Sequence, residues 1–149
     1  IFDPTGSDYY HAMIRAGSAF YALEIEGADW AVHDHAEGRG VHFLGDLAPM
    51  YIHVPEGEET LDLWMAASPP GETAAGVLYG PDGQEMARYD CTEKSIDKKT
   101  LTVGEAQAGW WKLVPTEPPT GVVDDVWVHR DGGGWLVLDP ANSLIVSEQ

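Results

Sequence analysis

A chain of 149 residues, 44% hydrophobic and 10% aromatic, suits one globular domain, which at this length buries roughly 70% of the surface its unfolded chain exposes. Twenty-five acids against eight Lys and Arg give a net charge of −17; this excludes a nucleic-acid interface, which needs a basic footprint, and argues equally against anionic membrane surfaces. No apolar run is long enough to span a bilayer, and the single Cys91 can form neither an intrachain disulfide nor a thiolate metal cage.

The sequence starts at Ile1 and shows no signal-type apolar segment. The expectation is a single domain over residues 1–149, excised from a larger secreted protein. In chain order, "DYYHAMIRAG" (8–17) can be a helix with Tyr10, Met13 and Ile14 on one face, or a strand. "FYALEIE" (20–26) reads as a strand. "WAVHDH" (30–35) follows, and on a strand His33 and His35 share one face.

With Gly27, these two histidines spell G-x5-H-x-H, which resembles the first half of the metal signature of cupins, small jelly-roll barrels. That family then requires a Glu four or five residues on, where this chain has Arg39 and Gly40. Its second half requires a His three residues after P-x-G, but Pro55 and Gly57 are followed by Thr60. Two of four ligands match. The preferred reading is a polar strand face, with His33 and His35 kept as candidate metal ligands of a cupin-like, metal-dependent enzyme.

"MYIHV" (50–54) puts Met50, Ile52 and Val54 on one face and Tyr51 and His53 on the other. "LDLWM" (61–65) does the same with Leu61, Leu63 and Met65 against Asp62 and Trp64. Paired as a hairpin about residues 55–60, they would set Tyr51 opposite Trp64 and His53 opposite Asp62. "AGVLY" and "QEMARYD" flank "PDG" (81–83), a type I turn signal if Gly80 opens it. "KTLTV" is the next strand. In "WWKLV", Trp111 goes inward with Leu113, while Trp110 shares the outer face with Lys112. "DVWVHR" and "WLVLD" read as a closing hairpin with Val126, Val128, Leu136 and Leu138 inward, Trp127 across from Val137, and His129 across from Trp135. Short strands about every ten residues predict an all-β fold, an antiparallel β-sandwich of jelly-roll type.

Catalytic signatures are missing: there is no G-x-S-x-G, no H-E-x-x-H and no phosphate-cradling glycine loop. The pairs Glu58/Glu59 and Asp124/Asp125 are sequence neighbours, which on a strand point to opposite faces and cannot act together. The expectation is a non-catalytic protein without a cofactor. A structural calcium ion is compatible with the fold class, but no local motif names its ligands.

The stretch "APMYIHVPEGEETLDLWMAASPPGETAAGVLYGPDGQEMA" (48–87), then "AGWWKLVP" (108–115) and "DDVWVHRDGGGWLVLDP" (124–140), resembles a jelly-roll accessory domain. Such domains are appended to secreted bacterial glycoside hydrolases, polysaccharide lyases and peptidases, and include carbohydrate-binding modules and pre-peptidase C-terminal-like domains. The resemblance implies a secreted, non-catalytic module whose partner is a polysaccharide or a neighbouring domain of the same chain. Flat rings stack on the apolar faces of sugars, and a bare outward aromatic is costly without a partner. The candidate ligand-binding residues are therefore Tyr51, Trp64, Trp110, Trp127 and Trp135. Carbohydrate binding is the first reading; a module packing against a neighbouring domain is the second, and the cupin-like enzyme is the third.

Overall fold

A computed structural model describes residues 25–28, 30–34, 40–45, 47–132 and 134–142. Period-two alternation of apolar residues produces ten strands: β1 (Val32–Asp34), β2 (Val41–Leu44), β3 (Met50–Val54), β4 (Thr60–Ala66), β5 (Ala75–Tyr79), β6 (Glu85–Asp90), β7 (Ile96–Thr102), β8 (Gly109–Thr116), β9 (Asp125–Arg130) and β10 (Gly134–Val137). Of the earlier expectations, the 8–17 segment and most of "FYALEIE" lie outside the described residues.

The strands form two antiparallel sheets, one ordered β1-β10-β3-β8-β5-β6 and the other β2-β9-β4-β7. The two sheets pack face to face as the β-sandwich that the strand spacing predicts: β1 lies by β2 at one edge and β6 by β7 at the other, where the Tyr89 hydroxyl donates to the Leu63 carbonyl of β4 (3.3 Å). The hairpin β5–β6 is an addition, inserted between β4 and β7, which widens the first sheet by two strands. Its turn is Gly80–Gly83: the Gly83 amide donates to the Gly80 carbonyl (3.0 Å), Gly83 takes φ +80°, and the Asp82 carboxylate accepts from the Gln84 amide (3.0 Å).

The inward faces close on each other. Met50, Ile52 and Val54 of β3, Leu61, Leu63 and Met65 of β4, Trp111 and Leu113 of β8, and Val126 and Val128 of β9 are all buried, as their alternation predicts. Trp111 fills the largest share and satisfies its indole N–H on the Gln107 carbonyl (2.7 Å). Truncating one of the buried leucines, such as Leu63→Ala, costs about 2–5 kcal/mol in such an interior.

Two expected hairpins do not form. β3 and β4 belong to different sheets, so Tyr51 is not opposite Trp64 and His53 is not opposite Asp62. β9 and β10 are likewise split: Trp127 stands across from His42 and Ala66, and His129 across from Trp64. The 55–59 connection therefore arches between the sheets instead of turning within one. At the end of β10 the expected faces also change: Val137 is buried, while Leu138, beyond the strand, is 46% exposed.

Candidate functional site

Outward positions on the six-stranded sheet gather in two cross-strand rows. In one, Tyr51 of β3 faces Lys112 of β8, which faces Tyr79 of β5. In the other, His53 faces Trp110. All five are half-buried, while the alternate residues Ile52, Trp111, Leu113 and Leu78 point into the core. The result is a ridge of three aromatic rings, an imidazole and one ammonium crossing three strands.

The ridge is held by its own contacts. The Lys112 ammonium lies 5.4 Å from the centre of the Tyr51 ring, inside cation–π range. The His53 imidazole meets Trp110 edge to face, with centroids 5.1 Å apart and an interplanar angle of 66°. Below His53, the Arg130 guanidinium donates Nη1 to the His53 carbonyl (2.9 Å) and Nη2 to both Glu58 carboxylate oxygens (2.5 Å each). Arg130 belongs to β9, so this half-buried fork ties the two sheets together at the edge of the ridge. Burial and then the Arg130 charge lower the His53 pKa from its ordinary value, with Glu58 opposing them, so the surroundings favour the neutral ring.

The ridge leaves donors free. Among the described residues, the Tyr51 and Tyr79 hydroxyls, the Trp110 indole N–H and the Lys112 ammonium take no protein hydrogen-bond partner. Stacking surfaces with adjacent, unengaged donors are what a hydroxyl-rich ligand requires.

Trp64 and Trp127 lie on the opposite side of the sandwich, on the four-stranded sheet, and there the aromatics are engaged. His42 stacks on Trp127 at 4.3 Å and 9°, and its Nε2 pairs with Asp125 Oδ1 at 2.8 Å. The Trp64 ring tilts against His129 at 4.8 Å. Asp131 accepts from the Lys98 ammonium, and that hydrogen bond is the largest cause of its lowered pKa. Asp62 accepts from the Thr100 hydroxyl. Among the described residues this face matches its charged groups with one another.

Of the five aromatics singled out from the sequence, Tyr51 and Trp110 thus meet on one face, and Trp64 and Trp127 on the other. Trp135 sits in β10 of the six-stranded sheet, across from His33 of β1, but both side chains lie outside the described residues. Tyr79 and Lys112 were not among the five. The signals were present: Tyr79 ends an apolar strand just before a turn, and Lys112 alternates with buried Trp111 and Leu113.

His35 lies outside the described residues, so the cupin-type pair is not placed. Among the described residues no group of three or more His, Cys, Asp or Glu side chains is arranged to hold a metal ion. Cys91 is buried and donates to the Met65 carbonyl (3.3 Å); burial pushes its pKa up to about 11 and keeps it a thiol. Comparisons with protein-family models, curated proteins and solved structures find no match.

Proposed function

We propose that this domain is a non-catalytic carbohydrate-binding module of a secreted protein, and that it binds through the Tyr51–Lys112–Tyr79 and His53–Trp110 rows. The observation that carries this reading is the contrast between the two outer faces. Both are aromatic, but on the four-stranded sheet Lys98, Lys99, His42 and Thr100 are matched by Asp131, Asp97, Asp125 and Asp62, whereas among the described residues the Lys112 ammonium and the Tyr51 and Tyr79 hydroxyls of the six-stranded sheet have no hydrogen-bond partner. Sugar rings stack on flat aromatic faces, and their hydroxyls need nearby donors and acceptors. Such a module tethers a linked domain to its polymer, so weak intrinsic affinity suffices.

The test is a glycan and polysaccharide screen of the purified domain, with and without EDTA, using Trp110→Ala and Tyr79→Ala beside Trp64→Ala. Binding lost in the first two variants and kept in the third supports the ridge. Binding lost only in Trp64→Ala moves the site to the other sheet. No binding to any glycan ends the reading.

A second reading, a module packing against a neighbouring domain, draws on the four-stranded sheet. There Leu44 and Ile96 are 51% and 55% exposed on either side of the stacked His42–Trp127 pair. Its sign would be self-association of the isolated domain, relieved by Ile96→Lys.

A further inference from the structure

We infer that the ligand of the ridge is an anionic polysaccharide, one whose sugars carry carboxylates, and that Lys112 pairs with them. This deepens the carbohydrate reading and rests on it. Acids outnumber bases by 25 to 8 in this chain, so a cation without a carboxylate is the exception. Among the described residues, Arg88 pairs with Glu85, Lys94 and Lys99 with Asp97, Lys98 with Asp131, and Arg130 with Glu58. Of the described lysines and arginines, Lys112 alone has no carboxylate partner.

The position of Lys112 is as informative as its isolation. It stands between two tyrosines, one strand spacing (~4.8 Å) from each neighbouring strand. A sugar ring seated on this ridge has its exocyclic group within reach of the ammonium. The Tyr51 ring attracts that ammonium without supplying a counter-charge, so the charge stays available. Glu58 and Glu85, which flank the ridge, are already matched by Arg130 and Arg88. Of these described groups, Lys112 is the one left with an unmatched charge. The distant carboxylates repel a polyanion, but that repulsion is screened beyond about 8 Å at physiological ionic strength. Ion pairing at contact decides.

The experiment is calorimetric titration of the purified chain, in EDTA, with polygalacturonate, with alginate, and with fully methyl-esterified polygalacturonate, which keeps the backbone and removes the charge. A neutral galactan and a neutral xylan complete the set. The variants are Lys112→Met, Lys112→Arg and Tyr79→Ala, each checked for an unchanged melting curve. The expected result is binding to an acidic polymer that falls about tenfold or more in Lys112→Met, is restored in Lys112→Arg, and is equally weak for wild type with the ester. Equal affinity of wild type and Lys112→Met for acidic and neutral polymers overturns the inference and leaves the carbohydrate reading standing. Binding to neutral glycans alone does the same. No binding to any polymer removes both.

Discussion

His42 and Trp127, on the neighbouring strands β2 and β9, lie face to face with centroids 4.3 Å apart and planes within 9°. The Asp125 carboxylate holds the far side of the imidazole through Nε2. One face of the indole is therefore already occupied by the protein. Trp127→Ala should destabilise the fold by about 1–3 kcal/mol, as loss of a half-buried ring and a cross-strand pair. Its glycan affinity should stay at the wild-type level. Denaturant melts beside the binding screen check both halves.

The Arg130 fork makes a second prediction. Lysine keeps the charge but cannot reach the His53 carbonyl and both Glu58 oxygens in one planar geometry. Arg130→Lys should lower stability by roughly 1–3 kcal/mol, read as a shifted denaturation midpoint at constant slope. An unchanged midpoint would show that the fork does not tie the sheets.

Two groups buried in part make distinct contributions to the pH dependence. Asp97 is buried and its pKa is lowered: burial raises it, but hydrogen bonds from Lys94, Lys99 and the Asp90 amide outweigh that. Its contribution is present above the ordinary aspartate value of 3.8 and is lost as pH falls through the lower folded value. His53 also has a lowered pKa, so below 6.5 the unfolded chain binds the proton more readily and stability declines with acid. Melting temperature against pH should therefore drop in two separate ranges. Asp97→Asn should flatten the lower one and His53→Gln the upper one.

Cys91 should be inert. With its thiol at about 11 and buried under β4, almost no thiolate exists at neutral pH. Native protein should resist a thiol-specific dye until denaturant is added; rapid native labelling would contradict the burial.

Gly121 takes φ +82°, and a Cβ there would lie 2.7 Å from both Thr73 Cγ2 and Oγ1 and 3.0 Å from the Gly71 carbonyl. Thr73 cannot withdraw easily, because its hydroxyl donates to the Thr120 carbonyl within the same loop pair. Gly121→Ala should cost more than about 1 kcal/mol through clash and left-handed strain together, measured by thermal melts.

Much of this was legible in the sequence, and the part that was not has a definite cause. The alternation of Met50, Ile52 and Val54 marked the inner face of β3, and Leu61, Leu63 and Met65 that of β4, and all six are buried. But a strand that looks down into a core and one that looks up into it carry the same pattern. Five residues after Val54 can turn within a sheet or arch across the sandwich. The pattern therefore placed Tyr51 and Trp64 outside without saying that they leave in opposite directions. For the same reason the sequence scattered its candidate aromatics over two faces. The partners that distinguish those faces, such as Asp125 on His42 and Arg130 under His53, sit 83 and 77 residues away in the chain. Tyr79 joined the ridge only because the inserted hairpin brought β5 beside β8.

That inserted hairpin has a kinetic consequence. Of all the strand pairings among the described residues, β5–β6 is the one made by sequence neighbours; every other pairing closes a long loop first. Loop closure must precede the reward of such pairings, which places sandwiches of this kind in the millisecond-to-second range of refolding. Gly80–Gly83 is thus where ordered structure can begin without waiting for the rest of the chain. The strand that presents Tyr79 would be among the earliest to form, and the face it completes, which needs β3 and β8 brought together from far apart, among the last.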